Sequence, residues 1–142
     1  MKRMLLLPLL LILTACHPKA TAPVPGTIST LDAYAARVIG DSQEALLSAK
    51  AWELCSDSRN TAGGAPFVTF DGVTRPCDPT APAFPAAGRP VLFRAEQSYN
   101  LALGAAQTYH STGSGDTAAL TQAITQLGVA VADLLNSIGK GH

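Results

Sequence analysis

Three cysteines and three histidines carry most of the reactive chemistry in this 142-residue chain: Cys16, Cys55 and Cys77, with His17, His110 and His142. Thiols form disulfides, bind soft metals or accept covalent groups, and imidazole serves as a general base or a metal ligand. The densest polar grouping is His110-Ser111 with Ser114 and Asp116, which can be drawn as base, nucleophile and orienting acid. Each of these positions has a plainer reading. A basic side chain near a helix C-terminus is favourable, and Ser or Asp just before a helix is a cap. Glu44 and Glu53 lie nine positions apart on an expected helix, too far for a close carboxylate pair. No Gly-x-Ser-x-Gly, His-Glu-x-x-His or phosphate loop occurs, and Asn60-Thr61-Ala62-Gly63-Gly64 is a turn-rich loop. These residues predict a non-enzymatic protein with no cofactor and no metal site.

Cys16 stands in a more specific setting. Lys2 and Arg3 precede an apolar run at 5–13, interrupted by Pro8, and Leu13-Thr14-Ala15-Cys16 follows. The run is far short of the roughly 20 residues that cross a bilayer as a helix. A positive start, a short apolar core and small residues before a cleavage point read as an export signal. The segment resembles the signal of bacterial lipoproteins, whose lipobox is an aliphatic residue, two small residues and an obligatory Cys. The resemblance covers residues 1–16 alone. It implies cleavage before Cys16, a diacylglyceryl group on its thiol and acylation of the new amino group, so the membrane is the first partner. His17 in place of Asp implies sorting to the outer membrane, facing the periplasm. Each buried CH₂ adds about 0.8 kcal/mol, so two or three acyl chains anchor firmly where one does not.

Export would put Cys55 and Cys77 where disulfides form and persist. A bridge between them would restrict the unfolded chain by roughly 3 kcal/mol. Two free thiols or a metal site are the alternatives, and a metal would need further ligands that the three histidines do not supply at useful spacing. Lys+Arg and Asp+Glu both number 10, so the formal net charge is zero. That balance argues against nucleic acid as a partner. Loss of residues 1–15 removes Lys2, Arg3 and no acid, leaving 8 basic against 10 acidic residues, net −2. At 14% charged and 47% hydrophobic, the chain is not disordered throughout.

The elements that would position these groups follow from periodicity. Residues 16–28 read as the lipidated Cys and a tether, with Pro18, Pro23, Pro25 and Gly26; ten extended residues would span about 30 Å. Residues 29–142 form one helical domain, with helices at about 29–54, 90–111 and 117–138 and an irregular loop at 55–89. Ser29 and Asp32 make a capping-box-like start. Leu31, Tyr34, Ala35, Val38, Ala45, Leu46, Ala49 and Trp52 mark the first apolar face. Pro90 is expected at the first position of the second helix, whose face is Leu92, Ala95, Tyr99, Ala102, Leu103, Ala106 and Tyr109. Gly113-Ser114-Gly115 ends it, and Asp116 caps the third helix. There Leu120, Ile124, Leu127, Val131, Leu134 and Ile138 recur at spacings of 4, 3, 4, 3 and 4, as in a packed bundle. The stretch 127–135 is too short to span a membrane and contains Asp133. Gly104 and Gly128 either permit close helix approach or are neutral surface choices.

Inside the long loop, Asp71-Gly72 between Phe67-Val68-Thr69-Phe70 and Val73-Thr74-Arg75-Pro76 is a hairpin signal. A two-residue turn places Phe70 opposite Val73 and Thr69 opposite Thr74. The expected fold class is mainly α, a small three-helix bundle with a disulfide-clipped loop carrying a short β-hairpin. Phe67, Phe70 and Phe84 are the candidate partner-binding residues of that loop; the competing reading folds their rings onto the helices as a lid. The expected role is structural or adaptor, with an envelope protein as partner. One alternative is a small-ligand binder with a pocket near Trp52 and Tyr99, and another is a phage-type lysis lipoprotein, for which no motif is present.

Overall fold

The structure, a computed structural model, describes residues 30–59, 64–70, 72–112 and 116–139. The leader, Cys16, the tether, Ser29 as a cap and the 113–115 turn lie outside the described residues. Three helices, α1 (Thr30–Ser58), α2 (Gly88–Thr112) and α3 (Thr117–Gly139), enclose the core, and strands β1 (Phe67–Phe70) and β2 (Val73–Pro76) form an antiparallel hairpin in the α1–α2 connection. The fold is mainly α, as expected.

The core is built in layers along the bundle, and the layers fix an alternating up-down-up arrangement. Near the start of α1, Ala35 meets Leu120 and Ile124 of α3, with Ala105, Ala106 and Tyr109 from the end of α2. In the middle, Ile39, Ala102 and Leu127 meet. At the far end, Leu46 and Ala49 pack with Leu92, Ala95 and Leu134, joined by Phe84 from the loop. α1 and α2 repeatedly present alanine where α3 presents leucine or isoleucine. Small opposite large fills space without forcing side chains off their rotamers. Leu92, Leu120, Leu127 and Leu134 are completely enclosed. All three apolar seams follow the alternating 3 and 4 spacing of packed helices. On α1 that seam is Ala35, Ile39, Ser42, Leu46 and Ala49, so Tyr34, expected inside, is 59% exposed, while Ile39 and Leu47 are buried.

Helix boundaries show where tertiary contacts extend local preference. α1 continues four residues past its expected end, because Cys55 and Ser56 are buried and tied to the loop. α2 begins at Gly88, two residues before Pro90. Pro90 still falls in the first turn, where the missing N–H would have no partner within the helix. Asp116 caps α3 as expected, its Oδ1 accepting from the Ala118 and Ala119 amides at 2.9 and 3.1 Å. α1 passes unbroken through Gly40. A Cβ placed on Gly104 or Gly128 would meet nothing within 4 Å, so close approach comes from the alanines and not from these glycines. The 23-residue α3 is long and apolar enough to cross a membrane, with a mean hydropathy of 1.4 over its best 18-residue window. That exceeds the 127–135 stretch considered from sequence, and its seam is spent on α1 and α2.

The layers set a contrast between enclosed and surface leucines. Leu127→Ala is expected to cost about 2–5 kcal/mol, and Leu101→Ala, at a site 64% exposed, less than about 0.5 kcal/mol. Urea unfolding of both variants checks the contrast, and equal losses would contradict the layered core.

Candidate functional site

The hairpin platform grows from the end of α1. Cys55 and Cys77 form a disulfide with their Cα atoms 5.5 Å apart. The segment after Cys77 then lies across the last turns of α1 through backbone acceptors. The Trp52 indole N–H donates to the Pro82 carbonyl at 2.7 Å. The Arg59 guanidinium donates to the carbonyls of Ala81 and Pro82. The Phe84 amide donates to Ser56 Oγ at 2.9 Å, which explains how a serine is buried there. Phe84 stands edge-on to Trp52, with ring centroids 5.1 Å apart, and is only 5% exposed.

This placement corrects two expectations. Phe84 belongs to the core and presents nothing to a partner, because its ring closes the end of the bundle. Trp52 packs on Phe84 and does not line the cavity between α1 and α2, whereas Tyr99 does.

The hairpin has the expected register, with Phe70 paired to Val73, Thr69 to Thr74, Val68 to Arg75 and Phe67 to Pro76. Gly72 takes a φ of 74°, the left-handed conformation that glycine adopts without strain. Thr69 and Thr74 hydroxyls meet at 3.0 Å on the outward face. Phe67 shares that face and is 59% exposed. The opposite face carries Val68, Phe70 and Arg75, all half-buried, and Val73, which stays exposed near the turn. An isolated two-stranded hairpin is marginal in water; this one rests on α1. Arg75 Nη2 donates to both carboxylate oxygens of Glu44 at 2.7 and 2.9 Å. Phe70 reaches Lys50, whose Nζ lies 5.8 Å from the ring centroid.

Beneath Phe70 lies a cavity of about 390 Å³ between α1 and α2. Leu46, Leu47, Phe70 and Tyr99 supply apolar surface, and Gln43, Lys50, Glu96 and Asn100 supply polar groups. That volume falls within the range of small-molecule sites. Lys50 Nζ lies 2.9 Å from Glu53 and 3.4 Å from Glu96. Burial would push the Lys50 ammonium below its ordinary value of 10.5, but the hydrogen bond to Glu53 and the charges of Glu96 and Glu53 more than reverse this, so its pKa is raised. Glu53 also accepts from Arg89 at 3.1 Å, and Arg89 bonds Asp57 through both terminal nitrogens. Lys50 falls off the apolar face of α1 that the sequence marks. Its role depends on Glu96 and Phe70, distant in sequence, so only the Lys50–Glu53 spacing of three on α1 gave a local signal.

The His110 grouping does not converge. His110 is exposed at the last turn of α2, Ser111 Oγ donates to the Thr108 carbonyl, and Asp116 serves α3 amides. Among the described residues, no group of three or more His, Cys, Asp or Glu side chains is placed to hold a metal ion. His17, His142 and Ser114 lie outside the described residues. No protein-family model, curated protein or solved structure matches the chain.

Two stability tests follow. Replacing Cys55 and Cys77 together by Ser is expected to cost roughly 3 kcal/mol in chemical denaturation, the loop-entropy value for a loop of this size. An unchanged midpoint would show that the polar ties alone hold the platform. The Asp57 carboxyl is held below its ordinary 3.8 by hydrogen bonding to Arg89. A lowered folded pKa gives stability that is present above the ordinary value and lost as pH falls through the folded one. Asp57 is half exposed, so the effect is small. Melting temperatures between pH 5 and pH 2 should therefore fall less steeply in Asp57→Asn than in the parent chain.

Proposed function

We propose that the chain is a non-enzymatic lipoprotein of the bacterial cell envelope, anchored through lipid on Cys16 and acting as a structural or adaptor protein. Leu13-Thr14-Ala15-Cys16 behind a basic, leucine-rich leader carries this reading. The Cys55–Cys77 bridge supports it, because such bridges persist in oxidising compartments such as the periplasm. His17 after the lipid site favours the outer membrane facing the periplasm. The hairpin is the proposed contact surface for an envelope protein, with Phe67 in place of the three-phenylalanine patch expected from sequence. Phe67 is a large apolar side chain held in water on a platform braced by a disulfide and an Arg75–Glu44 ion pair. Exposed aromatics in such settings serve as anchors for protein contacts.

A second reading, small-ligand binding, is favoured by the cavity between α1 and α2 at Tyr99.

Cys16→Ser is expected to move the chain from the membrane fraction to the soluble periplasmic fraction, and retention with the membrane would overturn the lipid anchor. A photo-crosslinking amino acid at Phe67 is expected to give a discrete adduct in cells that the same probe at exposed Leu101 does not give. Identical patterns at the two positions would remove the hairpin as the contact surface.

A further inference from the structure

We propose that the cavity beneath Phe70 is a binding site for a primary aliphatic ammonium group, with Glu96 as its counter-charge and Phe70 and Tyr99 as its aromatic walls. The inference stands apart from the envelope reading, because it uses only residues of α1, α2 and the hairpin.

Glu96 supplies the first observation. Its Oε1 is shielded from solvent, and its one contact among the described residues is the Lys50 ammonium at 3.4 Å, the long limit of a hydrogen bond. A shielded carboxylate oxygen with unused acceptor capacity is costly, and a donor brought by a ligand would remove that cost. The nearest cation, Lys50 Nζ at 3.4 Å, has its closer partner in Glu53 at 2.9 Å. Glu53 is in turn shared with Arg89. One ammonium is thus divided between two carboxylates, and Glu96 holds the weaker share.

Lys50 itself supplies the second observation. Its ammonium already rests 5.8 Å from the Phe70 centroid while facing Glu96. The face of an aromatic ring attracts cations, Lys ammonium among them. This corner of the cavity therefore already holds one primary ammonium, and Phe70 and Tyr99 also line the cavity beside it. A ligand ammonium would take Glu96 as Lys50 settles on Glu53.

The rest of the cavity selects the ligand's body. Leu46, Leu47 and Tyr99 favour a short hydrocarbon chain, and Gln43 and Asn100 offer neutral amide groups. The volume of about 390 Å³ accommodates a chain of several carbons beyond the ammonium. An anionic ligand is disfavoured, because Lys50, the one cation among the described residues that line the cavity, is already engaged by two carboxylates.

The test uses the full chain as purified from its host, in non-ionic detergent, titrated with n-butylammonium chloride and, separately, with 1-butanol. The readout is the side-chain amide NMR signals of Gln43 and Asn100. Saturable shifts with butylammonium and none with butanol at equal concentration are expected. Glu96→Gln should weaken butylammonium at least about tenfold, the loss typical of removing a hydrogen bond to a charged group. Lys50→Gln should bind it several-fold more tightly, because the competing cation is gone, whereas an anion site would respond in the opposite sense. Phe70→Leu keeps apolar bulk without the ring and should weaken binding, which preserves the test should Glu96→Gln fail to fold. Nα-acetyl-lysine methylamide distinguishes a lysine of a protein from a free amine: tighter binding than butylammonium assigns the former, equal or weaker binding the latter, and either supports the site. Saturation by butanol equal to that by butylammonium, absence of saturable shifts with either amine, or weaker binding by Lys50→Gln would overturn it.

Discussion

The packing of Phe84 into the open end of the bundle is the contact on which the surrounding architecture depends. Only four residues separate α2 from α3, but α1 and α2 are separated by a long connection, and the end of the bundle where that connection starts needs a cover. Phe84 supplies it, lying against Trp52 of α1 and the start of α2. Gly88 makes room: a Cβ there would fall 3.0 Å from Ile138 Cγ2 and 3.1 Å from Phe84 Cε1. With the ring seated, the preceding backbone must run past Trp52, Ser56 and Arg59, and their polar groups meet its carbonyls and the Phe84 amide. Cys77 is then brought beside Cys55, and the hairpin before it is laid back along α1. The ring, the disulfide and the hairpin are successive consequences of closing one end of the core.

Much of this was readable where a short-range rule operates. The α3 spacing from Leu120 to Ile138 is periodic and apolar, so its inward face was clear. Asp71-Gly72 between β-branched and aromatic residues marked the hairpin and its register, and Asp116 marked a cap. The first helix was harder, because Ser42 occupies a seam position and masks the 3-4 pattern that begins at Ala35 and Ile39. Tyr34 appeared to belong to the apolar face, yet its bulk lies one position off the seam. The fates of Phe67, Phe70 and Phe84 were not readable, because a proline-rich loop has no period from which to infer a face. Tertiary partners decide them: Trp52 and Gly88 for Phe84, Lys50 for Phe70, and solvent for Phe67. The cavity was equally hidden, since Lys50, Phe70 and Glu96 come from three elements.

The few charged groups are concentrated at these junctions. Glu44, Glu53 and Asp57 on α1 face Arg75 of the hairpin and Arg89 of α2, while Lys50 on α1 faces Glu96 of α2. Exposed ion pairs contribute little individually to stability. Their value here is positional. A hairpin shifted by one residue would turn Arg75 away from Glu44 and Phe70 away from Lys50, because strand side chains alternate faces. The alanine-rich seams of α1 and α2 give close contact without much shape specificity, so charge helps to set the register between elements.

An odd number of alternating helices has a mechanical consequence. Thr30 and Gly139 lie at opposite ends of a bundle whose longest helix, at 29 residues, extends about 43 Å. A load applied between those two points acts along the helix axes. The seam contacts of the successive layers then bear it together, in shear, whereas two or four helices would place both points at one end and let the load peel the layers apart in turn.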